Sequence, residues 1–316
     1  MGESIQEVSL FKSEMKHVFR MSDLGALSYY LGIEVRQDPQ GIWLCQSSYA
    51  MKLLERTGMK NCNPCAVPME AKMKLSKDSD ANLVDPTEYR SLIGSLRYLL
   101  HTRPELTFSV SYLSRFMENP RQDHMGAIKH LLRYIAGTVD YGLFYPRGRG
   151  EGFGILDYSD SDMAGDVDDR KSISGMIFFL GENPATWNSQ KQRVVALSSC
   201  EAEYIAGTGA ACQAVWLRRL LEELVGLTVA APMIKVDNQS AIALSKNPVL
   251  HDRTKHIKTK YHFIRECVEH GEIRLEFVGT QDQLADILMK PLARVRFQEL
   301  RERIGVTKLP SIEALN

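Results

Sequence analysis

In the C-terminal half of the chain, strand-like and helix-like segments alternate, and four successive segments each carry an acidic residue near one end. These residues are Asp160, Glu203, Asp237 and Asp286. A carboxylate set in apolar sequence is costly to bury unless a metal ion or hydrogen bonds compensate its charge. This order therefore favours an α/β fold that brings the four acids to one edge, where they could hold two metal ions.

The first acid follows an apolar run at residues 153–156, so Asp160 is expected late on a strand. The next segments are rich in β-branched and aromatic residues, and turn-forming residues interrupt them at 181–184. They predict an antiparallel meander built from residues 174–180, 185–188 and 194–197.

A long helix is predicted after this meander. Ser198 and Ser199 offer an N-cap, and the helix should extend to about Leu224, with Glu203 in its first turn. Apolar residues at three- and four-residue spacing are expected to face the sheet. They are Trp216, Leu217, Leu220, Leu221 and Leu224.

The last two acids follow the same pattern. A short buried strand at 233–236 delivers Asp237 at its end, and a short helix follows it up to Lys246. After a basic segment and a strand at 273–278, residues 282–288 predict a final helix with Asp286 on an early turn. Each acid should therefore arrive at the same edge of the sheet.

Each acid taken singly also has an ordinary explanation, because charges at strand ends and in first helical turns aid solubility and complement the helix dipole. Glu201 competes with Glu203, but the two lie about 200° apart around the helix, and the Ala-Glu-Tyr context favours Glu203. Asp157 lies an odd number of positions before Asp160 and should point to the opposite face of the strand. Asp162 is expected in a loop.

Short motifs contain the four acids: Tyr158-Ser159-Asp160, Ala202-Glu203-Tyr204, Val236-Asp237-Asn238-Gln239-Ser240 and Leu284-Ala285-Asp286. Neighbouring motifs agree with them, namely Asp168-Asp169-Arg170-Lys171-Ser172, Arg253-Thr254-Lys255-His256-Ile257 and Tyr261-His262-Phe263-Ile264-Arg265. Together they resemble the ribonuclease H region of copia-type retrotransposon polyproteins, over roughly residues 152–304. The resemblance implies a ribonuclease H-like α/β fold, with a mixed five-stranded sheet flanked by helices.

The resemblance also implies an activity, the metal-dependent endonucleolytic hydrolysis of the RNA strand of RNA:DNA hybrids, with 3′-hydroxyl and 5′-phosphate products. Two Mg²⁺ ions, for which Mn²⁺ could substitute, would be held by the four acids. Asp160 would bridge both ions, Glu203 and Asp237 would bind one, and Asp286 the other. The 2′-hydroxyl would distinguish the RNA strand. A catalytically silent nucleic-acid-binding remnant is the alternative.

The upstream half resembles other parts of the same polyproteins. Met21-Ser22-Asp23-Leu24-Gly25 and Tyr30-Leu31-Gly32-Ile33-Glu34-Val35 are similar to the end of the reverse transcriptase palm. The segment that joins polymerase to nuclease is matched by Tyr89-Arg90-Ser91, Ile93-Gly94-Ser95-Leu96-Arg97-Tyr98 and His130-Leu131-Leu132-Arg133-Tyr134. The implied organisation is a partial reverse transcriptase palm and thumb in 1–66, a linker and helical connection region in 67–149, and a ribonuclease H-like domain in 150–316.

Polymerase activity is not expected of this chain alone. The polymerase of this family needs a Tyr-x-Asp-Asp turn, and no such turn precedes Met15. The opening residues 2–9 indicate a reading frame that begins inside a longer polyprotein.

The pattern of the N-terminal half predicts both strands and helices. Strands are expected at 28–35 and 41–46, and helices at 48–57, 87–101, 105–117 and 122–136. Residues 61–85 are polar and contain Pro, which is typical of a linker. The basic residues of the later helices predict a basic surface, or else ordinary helix solvation. They are Arg90, Arg97, Arg103, Arg115, Lys129 and Arg133.

Residues 246–265 carry six basic side chains against one acid, Asp252. Interleaved with Tyr261 and Phe263, they predict a surface that contacts the phosphates of the hybrid, and a solvated helix face is the alternative. The residues assigned to nucleic-acid binding are Asn238, Gln239, Arg253, Lys255, His256, Lys258 and Lys260. Zinc is not expected, because no Cys or His recurs at zinc spacing.

Composition sets broader limits on function. The 316 residues include 39 basic and 39 acidic side chains, so affinity for nucleic acid must come from local patches. Six Cys form no disulfide framework and the start has no signal region, so an intracellular location, cytoplasmic or nuclear, is expected rather than secretion. No apolar run reaches the length of a membrane span. The expected partners are an RNA:DNA hybrid and the remainder of the polyprotein.

Overall fold

The fold is described from a computed structural model, which covers residues 5–71, 73–147, 154–246 and 262–310. Five of the residues assigned to nucleic-acid binding lie outside these ranges. They are Arg253, Lys255, His256, Lys258 and Lys260.

The described residues form nine α-helices and ten strands. The helices are α1 (Ile5–Val18), α2 (Ser47–Arg56), α3 (Pro86–Leu99), α4 (Thr107–Leu113), α5 (Gln122–Ala136), α6 (Ser199–Val225), α7 (Gln239–Lys246), α8 (Phe263–Glu269) and α9 (Arg294–Arg303). The strands are β1 (Tyr29–Tyr30), β2 (Ile33–Gln37), β3 (Gly41–Cys45), β4 (Tyr141–Pro146), β5 (Ile155–Ser161), β6 (Ile173–Leu180), β7 (Asn183–Lys191), β8 (Met233–Val236), β9 (Arg274–Phe277) and β10 (Val306–Lys308). Among the described residues, no helix combines the length and the hydropathy that crossing a membrane requires.

The C-terminal sheet has the strand order β7-β6-β5-β8-β9. The first three strands pair antiparallel, whereas β8 pairs parallel to β5 and β9 parallel to β8. This arrangement is the predicted mixed five-stranded sheet. The parallel pairing makes β5 and β8 end at the same edge, so the residues that follow them meet there.

Helix α6 covers one face of this sheet through its N-terminal half. Small residues there, including Ala210 and Ala214, pack with Ile155, Phe178 and Ile234 of the strands. The prediction that the apolar C-terminal residues of α6 face the sheet was only partly right. Leu217 and Leu221 pack against this core, but three others are exposed, namely Trp216, Leu220 and Leu224. A helix of 27 residues is about 40 Å long, and five strands span only about 20–25 Å, so its end extends past the sheet.

The second sheet joins the two ends of the chain. Its strand order is β1-β2-β3-β4-β10, so the last of the described strands pairs with β4, Val306 opposite Leu143. Helices α3, α4 and α5 pack into one large core that also receives Ile177 of β6 and Leu300 of α9. Residues 61–85, predicted as a linker, form no helix and no strand longer than an isolated bridge where the structure describes them, yet they bury Met69 in the same core.

Three sequence predictions about the meander and the last helix were wrong. β7 begins at Asn183 and includes Pro184, because an edge strand tolerates a residue without an N–H. The pairing with β6 shifts register between Phe178 and Phe179, which pair with Thr186 and Pro184. Residues 194–197 form no strand, and Leu197 is exposed. Asp286 lies in the 3₁₀ turn Leu284–Leu288 rather than in an α-helix, and α9 and β10 follow it.

The predicted basic surface of the connecting helices is also smaller than expected. Arg103 is buried, with its Nε 2.6 Å from Oε1 of Glu105. Arg115 points inward as well, and its Nη1 lies 2.8 Å from Oδ2 of Asp166. Both cations therefore serve internal ion pairs, and Arg115 connects the helical region to the loop that follows β5.

Candidate active site

The four acids lie on separate elements around one edge of the C-terminal sheet. Asp160 is the penultimate residue of β5, and Asp237 directly follows β8. Glu203 lies in the N-terminal part of α6, and Asp286 lies in the 3₁₀ turn beside β6. The strand ends and helix start expected from the sequence are therefore where these residues are found.

Three of the acids meet closely. One carboxylate oxygen each from Asp160, Glu203 and Asp237 lies within 4.8 Å of the others. Asp160 and Glu203 are buried, and Asp237 is half-buried. Asp286 is not part of this three-residue group, but it is buried and interacts with the carboxyl of Asp160. Of the four acids predicted to share one site, three lie together in the structure and the fourth lies next to them.

The turn that carries Asp286 is held against the sheet by two features. Gln283 is fully buried, and its Nε2 donates to the carbonyl of Ser159 at 3.0 Å, while its Oε1 accepts from the amide of Ala285. Gly175 of β6 lies opposite Asp160, and a Cβ added to it would lie 2.9 Å from the carbonyl oxygen of Ala285. The missing side chain therefore lets the turn approach the strand.

The start of α6 is fixed by a reciprocal cap. The hydroxyl of Ser198 accepts from the amide of Glu201 at 3.1 Å, and the carboxylate of Glu201 accepts from the amide of Leu197 at 2.8 Å. Glu201 is thereby committed to the helix terminus. Glu203, one half-turn on, faces the acid cluster.

A single backbone amide links two of the acids. The N–H of Ser161 donates to Oδ1 of Asp160 at 2.8 Å and to Oε1 of Glu203 at 3.1 Å. The second oxygens, Oδ2 of Asp160 and Oε2 of Glu203, are buried and have no hydrogen-bond partner of normal geometry among the described residues. Buried carboxylate oxygens without donors are suited to a cation.

The carboxyls of the cluster hold protons readily. Burial, together with the negative charge of Glu203, raises the pKa of Asp160 to about 11. Burial also raises the pKa of Glu203 to about 7. The pKa of Asp237 is raised by burial and by the charge of Asp286. Without a cation, like charges at this spacing do not ionise together.

The two rival aspartates occupy other positions. Asp162 follows the end of β5 and accepts from the amide of Ile173 at 2.6 Å, and burial raises its pKa to about 6. Asp157 is fully buried on the face of β5 opposite to Asp160, next to Phe178 and Ile234. Neither belongs to the three-residue group.

Two cations beside Asp286 were not anticipated from the sequence. The ammonium of Lys290 forms an ion pair with Oδ1 of Asp286, and Nη2 of Arg296 lies 3.8 Å from Oδ2. On the other side of the cluster, the hydroxyl of Thr280 lies 3.4 Å from Oδ2 of Asp237. No clear signal in the sequence predicts these contacts, because Asp286 lies in a 3₁₀ turn that ends at Leu288 and the α-helical i,i+4 rule does not apply to Lys290.

The described residues of the predicted nucleic-acid surface differ in their surroundings. Gln239 is exposed beside Asp237, whereas Oδ1 of Asn238 accepts from the amide of Ala241 and caps α7. Arg265, counted in the basic stretch, is buried, and its Nη2 lies 3.3 Å from the carbonyl of Leu244. Arg265 therefore supports the fold, and it cannot contribute to a phosphate-binding surface.

The donor set fits a hard divalent cation. It consists of carboxylate oxygens alone, two of them buried without donors, and such ligands match Mg²⁺. Nδ1 of His262 lies 3.0 Å from the hydroxyl of Tyr204, so this imidazole has another partner. The strand order, the helix across it and the acids at one edge define a ribonuclease H-like protein.

Sequence comparisons identify retrotransposon polyproteins as relatives of the chain. The Pol polyproteins of transposons RE2 and RE1 from Arabidopsis thaliana are 46% and 44% identical to the chain over 292 residues, which cover 92% of the chain and 20% of each polyprotein. A family profile described as reverse transcriptase (RNA-dependent DNA polymerase) matches residues 1–71. The chain belongs to the Pol polyprotein family of copia-type retrotransposons, as the motifs predicted. It spans about a fifth of the length of the curated polyproteins it matches.

A solved structure of the N-terminal ribonuclease H domain of rv2228c from Mycobacterium tuberculosis is similar to part of the chain. The similarity covers 48% of this chain and 98% of that one, at 12% identity and a TM-score of 0.31. The ribonuclease H-like fold is defined by the strand order of the C-terminal sheet and by the helix that packs across it.

Proposed function

We propose that the chain is a metal-dependent endonuclease that hydrolyses the RNA strand of RNA:DNA hybrids. One observation carries the proposal. Carboxylate oxygens from three separate elements lie within 4.8 Å of one another, and the fourth acid of the motif set lies next to them. Acidic residues that only aid solubility at strand ends do not have to lie close together. Burying several carboxylates side by side costs free energy unless a cation compensates their charge.

In this proposal Asp160, Glu203, Asp237 and Asp286 hold two Mg²⁺ ions, with Mn²⁺ as an expected substitute. When bound, the ions activate the attacking water and stabilise the departing 3′ oxygen. The amide of Ser161 keeps the carboxylates of Asp160 and Glu203 in one orientation. Asp160 must lose its proton before it can serve as a ligand, since burial raises its pKa to about 11 in the cluster alone.

The proposed substrate is a hybrid duplex, in which the 2′-hydroxyl marks the strand to be cut. Gln239, exposed beside Asp237, is proposed to contact it. Arg253, Lys255, His256, Lys258 and Lys260 are proposed to bind its phosphates, on the strength of their charge in the sequence.

The proposed context is a larger Pol polyprotein in the cytoplasm or nucleus. The relatives support it, since the matched region is one part of a longer chain in each. In this context we propose that residues 1–66 derive from reverse transcriptase, that 67–149 connect the two activities, and that 150–316 form the nuclease domain.

The test is cleavage of a labelled RNA:DNA hybrid by the purified chain in Mg²⁺ and in EDTA. We expect cleavage of the RNA strand in Mg²⁺ only, and a rate about 10²–10³-fold lower for Asp160→Asn, because a lost metal ligand weakens transition-state stabilisation by several kcal/mol. Asp80→Asn, at an exposed aspartate outside the site, is the matched control. Binding of the hybrid without metal-dependent cleavage would instead support the silent nucleic-acid-binding remnant.

A further inference from the structure

The fourth acid of the cluster is paired with cations of its own chain. The Lys290 ammonium contacts Oδ1 of Asp286, and Nη2 of Arg296 lies 3.8 Å from Oδ2. The Asp286 side chain is only 6% exposed, so the two ion pairs form in a largely desolvated place. The direct attraction between opposite charges is stronger in such a place than in bulk water.

The two cations are held differently. Nη1 of Arg296 lies 2.9 Å from Oε1 of Glu299, and its Nη2 also donates to the carbonyl of Thr280, so its guanidinium is fixed. The Lys290 side chain is 38% exposed. Apart from Asp286, it has no ion-pair partner among the described residues. A lysine on a flexible stem can leave the site without disturbing the fold.

The charge of Lys290 reaches beyond Asp286. Burial raises the pKa of Asp237 and of Asp162, and the ammonium of Lys290 opposes that rise at both. Burial and the other acids dominate at Asp160 and Glu203. The positive charge of Lys290 therefore acts mainly on the Asp286 side of the cluster. This is the side where the proposed function places the second metal ion.

We propose that Lys290 is an internal counter-ion that occupies the cation position at Asp286 until a divalent ion displaces it. The proposal rests on the metal site described under the proposed function. An ammonium group and a divalent ion repel each other when both contact the same carboxylate oxygen, so each weakens the binding of the other there. Lys290 thus competes with the metal and sets the metal concentration at which the site fills.

The experiment measures metal affinity without catalysis. Wild type and Lys290→Met are titrated with Ca²⁺ and with Mn²⁺ by calorimetry, and their melting temperatures are followed with and without metal. We expect about tenfold tighter binding to Lys290→Met, since removal of one positive charge near the site strengthens attraction to the ion. We also expect a lower melting temperature without metal and a larger rise on its addition.

Two further variants sharpen the comparison. Lys290→Arg keeps the charge and should bind metal as wild type does. Lys60→Met is the control, and it should leave metal affinity unchanged. Lys60 is a surface lysine far from the acids in sequence, and its Nζ lies 2.7 Å from Oε1 of Glu55.

The outcomes separate the two proposals. If wild type binds metal and Lys290→Met binds it equally or more weakly, Lys290 does not compete and this inference is refuted. If wild type binds no divalent ion, the proposed metal site itself is refuted, and the inference falls with it. Circular dichroism of each variant confirms that the fold is retained.

Discussion

Replacing Asp157 by Asn should stabilise the metal-free protein and reduce the pH dependence of its stability. The Asp157 side chain is fully buried beneath α6, and burial raises its pKa well above the usual range. The amides of Ile177 and Tyr158 oppose this rise. Neither carboxyl oxygen has a hydrogen-bond partner of normal geometry among the described residues. The folded protein therefore keeps this carboxyl protonated at pH values where the unfolded chain ionises it.

The size and sign of the effect follow from proton linkage. Below a pH of about 4, the usual Asp pKa, the Asp157 carboxyl is protonated in both the folded and the unfolded state. In this range the carboxyl causes no pH-dependent loss of stability. As the pH rises from there towards the raised folded-state pKa, the folded state binds one proton more than the unfolded state. The free energy of unfolding then falls by about 1.4 kcal/mol per pH unit. Asn does not titrate, so its advantage over Asp157 should grow by the same amount per unit.

The assay is urea unfolding of both proteins in EDTA at pH 5, 6 and 7, followed by circular dichroism. The raised pKa values of Asp160 and Glu203 affect both proteins alike and cancel in the difference. Asp80→Asn changes an exposed aspartate in the same way and controls for the residue type. Parallel stability curves for wild type and Asp157→Asn would refute the reasoning, because the buried carboxyl would then not retain its proton.

Two further predictions concern the acid cluster. Metal binding at pH 7 should release between one and two protons, because the pKa is about 11 for Asp160 and about 7 for Glu203, and affinity should rise with pH. Calorimetry in buffers of different ionisation enthalpy measures this number, and a value of zero would contradict the raised pKa values. Gly175→Ala should cost about 1–3 kcal/mol in urea unfolding, since its Cβ would lie 2.9 Å from the carbonyl of Ala285 and from Cβ of Leu288. Unchanged stability would show that the turn bearing Asp286 is not held tightly there.

The positions of the acids were predicted well, because each acid lies near the end of a strand or a helical segment. Both the motifs and the hydrophobic periodicity indicate these ends. Asp237 follows four residues of buried strand, and Ser198 caps the helix that carries Glu203. The parallel pairing of β5 with β8, which brings the two strand ends together, is a long-range property. It was predicted from resemblance to a family, since local pattern alone does not define it.

The failures have a common cause, which is that tertiary context overrides local pattern. The leucines of α6 have an amphipathic spacing, but the alanine-rich half packs on the sheet because small residues allow close approach. Pro184 was taken as a break, yet β7 is an edge strand and needs no donor at that position. The contact of Lys290 with Asp286 depends on a 3₁₀ turn that helix periodicity does not predict.

The pairing of β10 with β4 has a consequence for biosynthesis. Residues 306–308 leave the ribosome long after β1 to β4, and they add the last strand to the sheet that these strands form. Until then β4 presents an open edge, which is prone to pairing with other chains. Expression of residues 1–149 alone would leave that edge exposed, and we expect such a fragment to aggregate, whereas the whole chain closes the edge itself.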